Sequence, residues 1–189
     1  MTNGVDFTSS LERVATWRMR RRLVRCVPAL DFLEGRPPTY LYTSGRPNRC
    51  NPRGVECLYF SETERVATLE YRRLFGGTDA GEEPKLTFVA EVDLRRVIDL
   101  EKRDVRGALD LSAADFFESW READLPTRLQ RLGLAVSKQR DVSAIRYPSD
   151  ACRRAGTKGW NVVIFPEAVV APDRVRILGR SGAALEELL

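Results

Sequence analysis

Arg49, Tyr59 and Glu70 fall within one stretch of mixed chemistry, NRCNPRGVECLYFSETERVATLE, which runs from Asn48 to Glu70. Arg49-Cys50-Asn51-Pro52-Arg53-Gly54 is rich in turn residues. Such a loop can aim a guanidinium and backbone N–H groups at one point, and the planar guanidinium fork matches phosphate oxygens. An arginine-rich surface loop without a ligand has the same composition. Tyr59 sits in a short apolar strand, where alternation puts Cys57, Tyr59 and Ser61 on one face and Leu58 and Phe60 on the other. Leu58 and Phe60 then face the core, and Tyr59 is placed either at a cleft, with its ring stacked on a base and its hydroxyl on a sugar, or at the core edge. Glu70 lies four residues after Val66 and four before Leu74, on an apolar helical stripe where an ionised carboxylate is costly without a partner. Arg73, at i+3, offers it a surface alternative.

The chain has no histidine in its 189 residues. That removes the commonest general base and metal ligand, and with them the usual triads and zinc-hydrolase sites. Acid–base or ion-stabilising work then falls to Asp, Glu, Tyr, Ser or Cys. Cys26, Cys50, Cys57 and Cys152 show no CxxC spacing and make a poor zinc set without histidine, so no metal is expected. No signal peptide opens the sequence, which favours reduced thiols and a cytoplasmic location. No apolar run approaches the roughly 20 residues of a membrane span. The 31 basic and 27 acidic residues leave a net charge of +4, too little to demand a nucleic acid but suited to a small anion. A 43% hydrophobic and 31% charged composition at this length fits one folded domain, residues 1–189.

The elements that must position these residues follow from periodicity. Ser9 and Glu12 form a capping box, and Leu11, Val14, Ala15 and Met19 keep helical spacing, which predicts a helix over 10–21 and an N-terminal helical extension over 1–22. Its run Arg18-Met19-Arg20-Arg21-Arg22 reads as a nucleic-acid or membrane patch, or as a solvated face beside an anion site. Leu23 to Val27 is a strand presenting Arg25, and Thr39 to Thr43 another; 44–54 is a loop and Cys57 to Phe60 a strand. Ser61 and Glu64 form a second capping box that opens a helix to about Phe75. Lys85 to Leu94 alternates as a strand. Helices are expected over 112–121 and 126–138, and strands over 143–147, 161–165 and 175–178. Interspersed short elements favour a compact α+β domain with a core over 23–178, against a doubly wound parallel sheet.

In order and spacing, Arg49-Cys50-Asn51-Pro52-x-Gly54, Leu58-Tyr59-x-Ser61 and Glu70 resemble the signature of the RES-domain toxins. Tyr147-Pro148-Ser149 and Gly159-Trp160-Asn161 through Pro166 are similar to that family's second region, a Pro-Ser element followed by an Asn-led apolar strand. Arg25 suits the family's first arginine. The resemblance spans roughly residues 23 to 178. The chain departs from the pattern at Pro47-Asn48, where two glycines are usual, and at Cys50, where an aromatic is usual.

The resemblance implies an ADP-ribosyltransferase-like fold with mixed or antiparallel central sheets and flanking helices. It implies a toxin that degrades NAD+ by hydrolysis, or by phosphorolysis with inorganic phosphate as co-substrate. It further implies a cognate antitoxin of the DNA-binding Xre type; the small net charge and the lack of a long apolar run argue against direct contact with nucleic acid or membrane, and a homo-oligomer stays open. Within the site it implies that Arg25 and Arg49 hold phosphate oxygens, that Tyr59 packs on nicotinamide or its ribose, that Glu70 bonds the ribose and favours the cationic transition state, and that Ser149 adds a hydrogen bond. Protein ADP-ribosylation from NAD+ is the rival chemistry. A nucleic-acid-binding module built on Trp17 to Arg25, or a binding protein without turnover, are rivals of another class.

Overall fold

The computed structural model describes residues 7–30, 41–74, 84–179 and 184–188. Seven strands form one sheet: β1 (Trp17–Pro28), β2 (Leu58–Ser61), β3 (Lys85–Asp99), β4 (Ala144–Pro148), β5 (Trp160–Ile164), β6 (Arg174–Leu178) and β7 (Ala184–Leu188). Their order is β1-β2-β5-β4-β3-β6-β7, and an additional β1–β3 pairing closes the first five into a ring. The β3–β4 ladder is parallel and the remaining ladders are antiparallel. The chain is therefore an α+β domain built on a closed, mostly antiparallel sheet.

Alternation along the strands divides the apolar residues between two cores. Leu58 and Phe60 of β2, Ala144 of β4 and Val162 and Ile164 of β5 join Leu23, Ala90, Val92 and Leu94 in one. Their neighbours Ile145, Tyr147 and Val163 turn the other way, toward helices α1 (Phe7–Leu11) and, further along the chain, Arg128–Gln139. A third, smaller cluster seats helix α2 (Glu64–Leu74) on β1: Ala67 and Tyr71 bury against Cys26 and Val24. Burying each such apolar side chain contributes about 1.5–3 kcal/mol before entropy is counted. The remaining helices are α3 (Arg103–Ala108), α4, which is Arg128–Gln139, and α5 (Asp150–Arg154). No described helix is long and apolar enough to cross a membrane, and all four cysteines are free and buried.

Several expected elements change identity. Residues 17–21 belong to β1, not to a helix over 10–21; among the described residues at this end, only Phe7–Leu11 is helical. Met19, Leu23 and Val27 are four apart, a spacing that satisfies a helix stripe and one strand face equally well. Pairing decides for the strand, because β3 supplies a partner at nearly every position, beginning at Trp17↔Val97. Of the N-terminal extension expected over 1–22, residues 17–22 belong to the ring itself. The basic run is largely neutralised across the ladder: Arg18 binds Asp93 at 2.6 Å, Arg22 binds Glu91 at 2.8 Å, and Arg21 pairs with Glu62.

Residues 112–121 are not helical either; a 3-10 turn at Ala114–Phe116 is the regular structure there. The helix expected from Ser61 starts two residues later. Ser61 ends β2, and Thr63 Oγ1 accepts from Val66 N at 3.3 Å as the cap. Thr39 and Tyr40 lie outside the described residues, and Tyr42 forms a single bridge to Leu58. The other strands match their expected positions within about three residues, save β3, which continues to Asp99, and β7, which had not been anticipated.

Candidate active site

The ring has a weak seam. β1 and β2 share one residue pair, Val24↔Ser61, and beside that seam a cleft of about 190 Å³ opens between β1, β2 and α2. Arg25, Arg49, Tyr59 and Glu70 all line it. Ser149 does not; it is 2% exposed and sits behind Glu70.

Strand register builds the cleft floor. Asn161 on β5 is opposite Ser61 on β2 and opposite Tyr147 on β4. The face that carries Val163 and Ile145 into the core therefore ends in polar residues at the cleft. Ser61 Oγ donates to Asn161 Oδ1 at 2.8 Å, which leaves the amide Nδ2 to donate to Glu70 Oε1 at 2.7 Å. Ser149 Oγ donates to the same carboxylate oxygen at 2.6 Å. Both bonds fall on Oε1, and among the described residues no side chain bonds Oε2. The surface pair with Arg73 considered above does not form. Arg73 instead binds Asp150 Oδ2 at 2.7 Å.

Asp150 is 2% exposed and also takes Arg153 at 2.7 Å and Arg154 at 3.1 Å. Burial alone raises its carboxyl pKa, but hydrogen bonds from Arg153 and Arg154 and the charge of Arg73 outweigh it, so the carboxyl lies below the ordinary range. Ser149 and Asp150 are consecutive, and they fasten Glu70 and Arg73, one helical turn apart on α2.

Arg49 is 8% exposed. Its Nη1 donates to the carbonyls of Phe116 at 2.6 Å and Glu118 at 3.2 Å, and its Nη2 lies 4.0 Å from Asp150 Oδ2. The loop that carries it is over-determined. Asn51, fully buried, donates to the carbonyls of Arg46 and Val55 at 2.9 and 2.8 Å, and Gln130 of α4 donates to Asn48 O at 2.9 Å. Asn48 Oδ1 accepts from Arg49 N at 2.8 Å, a bond that a glycine at that position has no side chain to make.

Tyr59 has a split role. The residue lines the cleft and packs against the core, while its hydroxyl accepts from Cys50 N at 3.0 Å and donates to Asn51 Oδ1 at 2.8 Å. The expectation that this hydroxyl meets a sugar is replaced by a hold on the arginine loop. Burial pushes the Tyr59 and Tyr147 phenols well above their ordinary pKa, so neither supplies a phenolate at neutral pH. Arg25 Nη1 donates to Leu41 O at 2.8 Å and to Tyr59 O at 3.1 Å, bridging the seam where the backbone ladder lapses.

Asn161, Arg73 and Asp150 are residues to which the sequence assigned no role in the site: Asn161 stood only within a motif, Arg73 only as a surface alternative for Glu70, and Asp150 nowhere. Asn161 had a usable signal, a polar residue leading an apolar strand, which must find partners once buried. Arg73 and Asp150 had none beyond their neighbours. Chemically, the cleft sets one oriented carboxylate among four lining guanidinium groups (Arg25, Arg49, Arg73 and Arg121). That favours an anionic ligand with a centre that becomes cationic near Glu70.

Comparison with known proteins bears on this arrangement. Residues 17–184 match the family model described as RES domain. Among solved structures, a chain in the crystal structure of the M. tuberculosis MbcT–MbcA toxin–antitoxin complex is similar in fold, with a TM-score of 0.57 and 17% sequence identity over 87% of this chain and 85% of that one. No curated protein matches the chain.

Proposed function

The chain belongs to the RES-domain family, and on that premise we propose that it cleaves the nicotinamide–ribose bond of NAD+ as the toxin of a toxin–antitoxin pair. One observation carries the reading. The Glu70 carboxylate is held through Oε1 by Ser149 and Asn161 at the edge of an arginine-lined cleft, which keeps Oε2 for a ligand. Breaking the glycosidic bond passes through an oxocarbenium-like state, and a fixed carboxylate beside the ribose stabilises that charge without reorganising.

Nicotinamide leaves as a neutral molecule, so no acid has to protonate it, and a chain without histidine is not disadvantaged. The Tyr59 ring offers a flat wall for nicotinamide or its ribose, and Arg49, Arg25 and Arg73 face the diphosphate. Attack by water at the anomeric carbon gives ADP-ribose, nicotinamide and a proton. Attack by inorganic phosphate gives the ribose phosphate ester and nicotinamide. Because the fold neighbour comes from a toxin–antitoxin complex, an antitoxin protein is the partner we assign to this chain.

Purified protein incubated with NAD+, with and without inorganic phosphate, is expected to release nicotinamide, and Glu70→Gln is expected to lose nearly all of that release. Absence of release from the wild type, or equal release from Glu70→Gln, overturns the reading. Label from NAD+ appearing on a macromolecule instead of free ADP-ribose reassigns the chemistry to protein ADP-ribosylation.

A further inference from the structure

Among the described residues, Trp120 stands outside the apolar cores of the fold, yet it is half-buried and lines the cleft. The Arg121 guanidinium lies over its ring, 4.5 Å from the centroid. The guanidinium takes one face of the indole, so the pair is a stacked plate of cation and π-system, on a segment without regular structure.

That segment is nevertheless fastened beside the arginines. Arg49 donates to the carbonyls of Phe116 and Glu118, and Arg153 stacks over Phe117 at 4.5 Å. Asp150 links Arg153 to Arg73 and approaches Arg49. The plate, Arg49 and Arg73 are therefore parts of one connected wall. A cleft of about 190 Å³ is smaller than the roughly 300–1,000 Å³ of sites that enclose a whole small-molecule ligand. A dinucleotide with nicotinamide riboside near Glu70 must extend its other half along this wall.

We propose that Trp120 and Arg121 form the purine subsite of the cleft and that Arg73 holds the adjoining diphosphate; the assignment rests on the reading of the cleft as an NAD+ site. The base stacks on the indole face opposite the guanidinium, a contact available to any purine, and the Arg121–indole cation–π contact holds the ring in place for it. Recognition of this half is separate from the chemistry at Glu70, so its loss acts on affinity for adenylate and not on the bond-breaking step.

Two measurements test this on the full chain. Calorimetric titration with ADP, which lacks nicotinamide, is expected to show a dissociation constant about tenfold higher for Trp120→Ala than for wild type, with Trp120→Phe within about threefold because a π-face remains. Nicotinamide release is then compared for NAD+ and for nicotinamide mononucleotide, which has no purine. In Trp120→Ala the ratio of kcat/KM values, NAD+ over mononucleotide, is expected to fall about tenfold, through KM. Failure of the wild type to bind ADP, equal ADP affinity in Trp120→Ala, or an unmoved substrate ratio overturns the subsite. A wild type that binds ADP through Trp120 but cleaves neither compound upholds the subsite and defeats only the catalytic reading.

Discussion

Ser149 Oγ stands 2.6 Å from Glu70 Oε1, across 79 positions of sequence, and its direction is set from behind. The same oxygen accepts from Cys152 N at 3.1 Å as the N-cap of α5, which sends the hydroxyl proton to the carboxylate. Under the proposed function Ser149 therefore acts on a ligand through Glu70, as a positioning residue; it does not itself line the cleft.

Replacing Ser149 with alanine should separate these two duties. Loss of a hydrogen bond to a charged group, worth about 1.5–3 kcal/mol, should lower kcat for nicotinamide release roughly ten- to a hundredfold with KM little changed. Loss of the cap should lower stability by about 0.5–2 kcal/mol in urea unfolding. A variant that unfolds earlier but turns over at the wild-type rate would show that the hold on Glu70 has no catalytic consequence.

Tyr59→Phe should behave in the opposite way. The ring stays at the cleft, but Cys50 N and Asn51 Oδ1 both lose the hydroxyl. Leaving two buried polar groups unmet costs about 1–3 kcal/mol or more, so the deficit should appear chiefly in the denaturation midpoint. If stability is unchanged while turnover collapses, the hydroxyl works on the substrate and not on the loop.

The ring of strands was legible where alternation was clear, as in the first ten residues of β3, or where a short apolar run stood between turn signals, as in β2 and β5. It was misread at 17–21 because residues four apart satisfy two periods, and because the partner strand that decides between them lies some seventy residues away. Glu70, Arg49 and Tyr59 were named from their residue chemistry and the resemblance to the RES-domain signature, Arg25 from that resemblance alone, and the structure gathers them at one cleft. What escaped was their support. Nothing local in the sequence says that Ser149 and Asp150 reach α2, or that Ser61 faces Asn161; register and ring closure decide both.

Gly133 lets α4 approach the backbone of the Arg49 loop at Cys50. A Cβ at position 133 would stand 1.6 Å from Cys50 O, a backbone atom that cannot move aside without the loop. Gly133→Ala should therefore displace the Arg49 loop and cost about 1–3 kcal/mol, as overpacking does. Weakened ADP binding should accompany the lowered midpoint, since Arg49 travels with the loop. A normally stable alanine variant would mean that helix and loop are not in this close contact.

Cys50 offers a pH test of that same contact. Burial outweighs the nearby Arg49 charge and pushes the thiol from 9.0 up to about 12. The folded state thus keeps its proton after the unfolded chain has lost it. Stability from this group is complete below pH 9 and is lost as pH rises between 9 and about 12, by about 1.4 kcal/mol per pH unit. Burial pushes Cys57 in the same direction. Lysines and tyrosines titrate in this range too, so the informative quantity is the difference between wild type and Cys50→Ala in urea unfolding from pH 8 to 10.5. The wild type should lose stability more steeply above pH 9, and the two curves should run parallel below it. Parallel curves throughout would mean that Cys50 reaches solvent in the folded protein, and the sealed loop between Arg49 and α4 would then have to be abandoned.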